Sequence, residues 1–228
     1  MPSSQTVLVT SGPTRAPLDA VRFLSNRSTG RFGTLVASEA LRRGARVTLI
    51  YGTGSETPQP HPRLRLVPVE TNLDLEKALR GHLTARRFDA VIHGMAVLDF
   101  WPQALRRGKV GSRGGAWVIR LRKAPKIIRK IKRWAPGVFL IGFKLEVGVN
   151  ERRLLERARR LLKESHADVV AANQLSEGED QEHPSYLMNA SGQVFKKVIG
   201  KRALARAVVD LVLRRAPVAR RSRSRQRA

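Results

Sequence analysis

The stretch "NRSTGRFG", Asn26 to Gly33, places small and polar residues directly before a run with helical spacing. Gly30 and Gly33 bracket the start of that helix, where the first backbone N–H groups lack partners and the dipole favours an anion. Glycines there let a phosphate approach the backbone, and they serve equally for turn-making and helix packing. Further along, "GMAVLDFWPQALRRGKVGSRGGAWVIRLRKAPKII" sets one acid, Asp99, ahead of many cations. From Phe100 to Leu145 there are thirteen Lys or Arg residues and no Asp or Glu. A solvated helix face accounts for Arg129, Lys130 and Arg133. It accounts less well for Lys109, in a Gly-rich loop, and for Lys123, just ahead of a Pro-started helix. One acid among fixed cations suits a polyphosphate carrying a hydroxyl-rich group, although a lone Asp is also a common loop cap.

Two more positions fall at strand ends. Phe143, followed by "KLE", serves either to stack on a base or to close the core. Asn173, after "VVAA", suits a ligand-facing strand end as well as a cap or turn. The five histidines form no ligand cluster, and His93 beside Gly94 reads as packed rather than catalytic. Neither a Ser-His-Asp order nor a close carboxylate pair stands out, so no protein-held metal or nucleophile is expected. Chemistry must then reside in the substrates, held and polarised by amides and cations.

The elements that carry these residues alternate. Strands are expected at 6–10, 46–51, 64–69, 88–93, 116–121, 138–143 and 168–172, from short β-branched runs. Helices are expected from Phe32 to Gly44, over 71–83 with Thr71 and Asp74 spaced as a capping box, and over 125–134, 150–165 and 201–215. "SYLMNASGQVFKKVI" reads as a β-hairpin turning at Asn189–Gly192. This pattern predicts an α/β fold, Rossmann-like, with a mostly parallel sheet, helices on both faces and a C-terminal β-hairpin. Ligands of such sheets bind beyond the carboxyl ends of the strands. The first strand and its helix are joined by a connection from Gly12 to Thr29, whereas such loops usually run about two to six residues.

The 228 residues suit one large domain, expected over 1–215, with 216–228 as a disordered Arg/Ser-rich tail. No Cys is present, which removes disulfides and thiolate chemistry, and no membrane span or signal peptide is visible, so a cytoplasmic protein is expected. The net charge is +26, of which the tail's five arginines account for a small part. Such a field attracts nucleic acid, membrane surface or phosphorylated substrates, and with 33 Arg against 11 Lys it also reflects a bias toward Arg. The GxGxxG fingerprint is missing and the second strand ends "IYG" without an acid, which weighs against an NAD(P)-dependent reductase.

Taken in order, "TSGPTRAPLDAVRFLSNRSTGRFG", "AVLDF", "KVGSRGG", "KAPKI", "LIGFKLE" and "VVAAN" resemble the phosphopantothenate–cysteine ligase family of coenzyme A biosynthesis, over roughly Val7 to Arg215. The resemblance implies that 4'-phosphopantothenate is activated as an acyl-nucleotide and then captured by cysteine. It implies a homodimer whose long first connection reaches the neighbouring active site. It implies catalytic roles for Asn26 and Lys109, and substrate binding by Arg22, Asn26, Met95, Ala96 and Asp99. Nucleotide binding is implied for Gly12, Ser28, Gly30, Gly33, Lys109, Lys123, Phe143 and Asn173, with Mg2+ accompanying the phosphates. Met95 stands where the family usually has Ala, which narrows the pocket. Gln174 and the helix "RRLLKESHAD" depart from the bacterial CTP pattern, and "GFKLE" with "KVGSRGG" resembles the animal-type, ATP-favouring branch, so the triphosphate is expected to be ATP or CTP. Because the chain starts at the ligase strand, a separate decarboxylase is expected in the pathway. The alternatives are a basic nucleic-acid-binding protein, with weak binding expected through the tail, and the disfavoured reductase.

Overall fold

The computed structural model describes residues 4–175 and 184–215. In chain order the elements are β1 (Thr6–Ser11), β2 (Arg15–Pro17), β3 (Phe23–Ser25), α1 (Arg31–Arg42), β4 (Arg46–Gly52), β5 (Leu64–Val69), α2 (Asn72–Ala85) and β6 (Ala90–His93). There follow β7 (Phe100–Pro102), β8 (Leu121–Lys123), α3 (Ile128–Trp134), β9 (Phe139–Val147), α4 (Glu151–Ser165), β10 (Val169–Leu175), β11 (Pro184–Asn189), β12 (Val194–Ile199) and α5 (Lys201–Leu213). The central sheet runs β12-β11-β10-β9-β6-β1-β4-β5. It is parallel from β5 to β10, and the hairpin adds β11 and β12 antiparallel at one edge.

Side-chain alternation along each strand divides the core. Val7 and Val9 face one side with Val36, Ala37 and Ala40 of α1 and Val208 and Val212 of α5. Leu8 faces the other, with Leu75 and Leu79 of α2, Ile131 of α3 and Leu154 of α4. Helix α2 starts with the expected box: Asp74 N–H donates to Thr71 Oγ1 at 3.2 Å, and Thr71 N–H donates to Asp74 Oδ2 at 2.9 Å. From β1 the chain progresses outward through β4 and β5, then returns to the other side of β1 for β6. That reversal opens a crevice at the carboxyl ends of β1 and β6.

Three expectations need correction. The strand expected at 116–121 does not form; only Leu121–Lys123 is extended, and it pairs with Phe100–Pro102 in a separate two-stranded ribbon. The place beside β6 is taken by β9, paired from Ala90 with Phe139, so the apolar run Val118–Ile119 has no strand to join and stays exposed. The helix expected at 125–134 starts only at Ile128. Strands β9 and β10 run past their expected ends, pairing Leu145 with Asn173 and Val147 with Leu175, so neither Phe143 nor Asn173 terminates a strand. The expected tail, 216–228, lies outside the described residues, as does His183.

Candidate active site at the switch point

The crevice is built from the ends of β1 and β6, stitched together beyond the sheet. Met95 N–H donates to Thr10 Oγ1 at 3.2 Å, Ala96 N–H to the Gly12 carbonyl at 2.8 Å, and Thr14 N–H to the Ala96 carbonyl at 3.2 Å. Asn26 Nδ2 donates to that same Ala96 carbonyl at 3.0 Å, which turns the amide of the long connection onto the crevice wall. Below them is a buried polar triangle. Thr14 Oγ1 donates to Asn72 Oδ1 at 2.6 Å, Asn72 Nδ2 donates to the Leu98 carbonyl at 2.8 Å, and Leu98 N–H donates back to Thr14 Oγ1 at 3.0 Å. Each of these polar atoms is thereby satisfied, which burial requires.

Helix α1 opens at Gly30, in left-handed backbone at φ 82°, with no side-chain cap and no acid in its first turn. Ser11 Oγ donates to the Gly30 carbonyl at 2.8 Å. Two glycines are required by shape. Gly12 has φ 76°, and a Cβ there would stand 1.9 Å from Ser55 Oγ; a Cβ on Gly33 would stand 2.2 Å from Ser11 Oγ. Helix entrance, β1 end and the loop after β4 are therefore packed closely; in the first turn Arg31 N–H donates to Thr29 Oγ1 at 3.3 Å, which leaves Phe32 and Gly33 as the amides for an anion.

The long connection is folded. Its halves pair as the β2–β3 ribbon, Ala16 opposite Leu24. At its tip lies Asp19, whose side chain is fully buried. Oδ1 accepts from the N–H groups of Val21 at 2.9 Å and Arg22 at 2.8 Å, and Oδ2 accepts from Arg22 Nη1 at 2.9 Å and Val110 N–H at 3.1 Å. Burial alone would raise this carboxyl; the three backbone donors and the Arg22 guanidinium outweigh it and hold it below the usual carboxylate range. Arg22 also reaches the Val110 carbonyl and lies 5.4 Å from the centre of the Trp117 ring.

Asp99 pairs with Lys126, Nζ to Oδ1 2.5 Å, and its carbonyl accepts from Ala124 N–H. Lys123 faces Phe100 across the β7–β8 ribbon, and both Lys109 and Lys123 are exposed. Phe143 packs edge-on against Phe32 of α1, centroids 5.1 Å apart, beside Gly94. Asn173 is half-buried within β10, between Leu145 and Ser185. Ser28 is half-buried, and its N–H donates to the Asn26 carbonyl at 3.0 Å. His93 is buried, its Nδ1 2.9 Å from Thr10 Oγ1, and desolvation pushes it down to about 4, a packed neutral ring.

Direct contacts thus unite Gly12, Asn26, Met95 and Ala96, with Gly30 and Gly33 alongside through Ser11 and Ser55. They do not bring Lys109 or Lys123 to Asn26. Two surface clefts, about 750 and 530 Å³, lie elsewhere, between β5 and α2 and beside the C-terminal ends of α3 and α4, and contain none of these residues. Sequence reasoning missed Asp19, Lys126 and Ser55. The "LDAVR" text held an acid at a turn beside an Arg, the one signal that pointed to Asp19.

The model of the DNA/pantothenate metabolism flavoprotein C-terminal domain matches residues 3–215. The chain is 36% identical over 207 residues to the coenzyme A biosynthesis bifunctional protein CoaBC of Thermococcus kodakarensis, covering 90% of this chain and 50% of that protein. It is 32% identical over 167 residues to the protein of the same name from Bacillus subtilis, covering 73% and 39%. The chain spans about half the length, or less, of these curated relatives. The crystal structure of the DNA/pantothenate metabolism flavoprotein from Streptococcus pneumoniae superposes with a TM-score of 0.84 at 30% identity, over 92% of this chain and 99% of that one. The match across nearly the whole described chain, with the same fold in a relative of known structure, shows that the chain belongs to the DNA/pantothenate metabolism flavoprotein C-terminal domain family.

Proposed function

We propose that this chain joins 4'-phosphopantothenate to L-cysteine at the expense of a nucleoside triphosphate, ATP or CTP. The pantothenate carboxylate attacks the α-phosphorus and pyrophosphate departs. The cysteine amine then attacks the acyl carbon, the C–O bond to the nucleotide breaks, and an amide and a nucleoside monophosphate are released, the amine's proton passing to solvent. The observation that carries the reading is the Asn26 amide fastened to the Ala96 carbonyl beside the uncapped entrance of α1. In this arrangement Asn26 orients the acyl group and the open amides of Phe32 and Gly33 receive phosphate oxygens. Met95, Ala96 and the Asp99–Lys126 pair form the pantothenate side. Gly12, Ser28 and Gly30 border the triphosphate, Phe143 and Asn173 the nucleoside, and Lys109 and Lys123 supply positive charge to the phosphates from the segment after Asp99. Among the described residues no group of three or more His, Asp or Glu can hold a metal, so Mg2+ would take its ligands mainly from phosphate oxygens and water.

The names of the CoaBC relatives support a place in coenzyme A biosynthesis. A neighbour in fold is the Cab2 mutant H337A in complex with phosphopantothenate-cysteine, at 19% identity and a TM-score of 0.76 over 92% of this chain and 85% of that one. Exposed Val21 and Phe23 on β2–β3, with Phe100, Val118 and Leu121 near β7–β8, supply the apolar surface for a homodimer. The test is cysteine-dependent pyrophosphate release with 4'-phosphopantothenate and either triphosphate. No release with ATP or CTP overturns the ligase. Asn26→Ala should retain the fold and lower turnover by about 10²-fold, the scale of losing one polarising donor.

A further inference from the structure

The two loops that flank the crevice are tied to one another by Asp19. The long connection and the Gly-rich segment after Asp99 are far apart in sequence, yet four hydrogen bonds join them. Arg106 N–H donates to the Leu18 carbonyl at 3.2 Å, Ala20 N–H to the Gly108 carbonyl at 3.1 Å, Val110 N–H to Asp19 Oδ2 at 3.1 Å, and Arg22 Nη1 to the Val110 carbonyl at 3.3 Å. Asp19 holds both ends, binding Val110 on the far loop and the N–H and guanidinium of Arg22 on its own, and it orients Arg22, whose Nη1 spans the same gap. Its four acceptor positions are all in use, and its oxygens are sealed from water. A buried carboxylate with that many donors stays only where every donor is in place, so removing it releases both loops together.

We propose that Asp19 is a positioning residue: it locks the loop carrying Arg22 onto the loop carrying Lys109, so that the Arg22 guanidinium is preset for the anionic substrate it meets. The inference rests on the ligase reading for the identity of that substrate, though not for the lock itself. Arg22 keeps one edge of its guanidinium on Asp19 and the Val110 carbonyl, and its plane is steadied by Trp117. The remaining N–H groups are aimed rather than swept through rotamers, and Lys109 is the residue immediately before the anchored Val110. Neither Asp19 nor Val110 has a free polar group to offer a ligand, so Asp19 acts through its neighbours.

The experiment pairs amide hydrogen exchange with steady-state kinetics on Asp19→Asn. Asn retains the size but turns an N–H2 either toward Val110 N–H and the Arg22 guanidinium together or toward the backbone N–H groups of Val21 and Arg22, so one pair of donors is always opposed. Expected is a concerted loss of protection over 17–25 and 105–112, unchanged exchange in β1 and β6, and a KM for 4'-phosphopantothenate raised tenfold or more with the cysteine KM unmoved. Arg22→Ala should add little in the Asp19→Asn background. Deprotection confined to 17–25, an equal rise in every KM, or multiplicative effects of the two substitutions overturns the lock. If Asp19→Asn does not fold, Val110→Pro removes the donor on the far loop while also fixing φ there and restricting Lys109, so only its exchange is read, and it must show the same paired deprotection. A wild type without pyrophosphate release defeats the ligase reading, while the exchange data still decide the lock.

Discussion

His93→Asn should make the protein less sensitive to acid. The ring is buried between β1 and β6 and its midpoint is lowered from 6.5 to about 4 by desolvation, while Asn can keep an atom near Thr10 Oγ1 without titrating. The folded state resists a proton that the unfolded chain accepts. Stability is therefore full above pH 6.5 and falls as pH drops from there toward the folded midpoint. The full difference, 6.5 − 4, corresponds to about 3 kcal/mol at about 1.4 kcal/mol per unit. At pH 5 the unfolded ring is already about 1.5 units past its midpoint, so roughly 2 kcal/mol should be gone. Carboxylates with lowered midpoints, such as Glu39 at about 2, titrate in both proteins and cancel in the difference. Urea unfolding at pH 7 and pH 5 reads the effect: the wild type should lose about 2 kcal/mol more than His93→Asn across that interval. Equal losses would mean that His93 is solvated or protonated in the folded state, and the packing of the crevice floor would have to be redrawn.

Gly12→Ala should cost about 3 kcal/mol, from a left-handed backbone and from a Cβ 1.9 Å from Ser55 Oγ; denaturation of the double mutant with Ser55→Gly should recover the steric share and leave roughly 1–2 kcal/mol, so strictly additive effects would refute the contact. Thr14→Val leaves Leu98 N–H and Asn72 Oδ1 buried without their partner and should lower stability by about 3 kcal/mol. A loss below about 0.5 kcal/mol in urea titration would show that water replaces the hydroxyl.

The parallel sheet was legible because each strand is a short buried run and the helices carry their own boundary signals, a stop at Gly44 and a start at the Thr71–Asp74 box. The excursions were not. Val118 and Ile119 look like a strand locally, but whether a sheet has room for them depends on β6 and β9 pairing, which no local pattern encodes. Likewise "KLEV" alternates correctly for a strand, and only the partner β10 shows how far the ladder continues. At the site, Asn26, Met95 and Ala96 were singled out by the family resemblance, whereas position before a helix pointed only to Gly30 and Gly33. Asp19 and Lys126 were not readable, since their partners Val110 and Asp99 are brought near by tertiary closure.

The place of β1 has a consequence for how the protein is made. The first strand of the described residues lies in the middle of the finished sheet; its partner β6 follows about 83 residues later, as the Thr10–His93 pair records. Gln5 even donates to the carbonyl of Arg215, 210 positions away, at 2.5 Å. Helix α1 can cover Val7 and Val9 early, but Leu8 on the opposite face waits for α2, α3 and α4, so part of the apolar centre stays uncovered for much of the chain's synthesis. High contact order of this kind makes folding slow and leaves the nascent N-terminal half dependent on shielding from its neighbours.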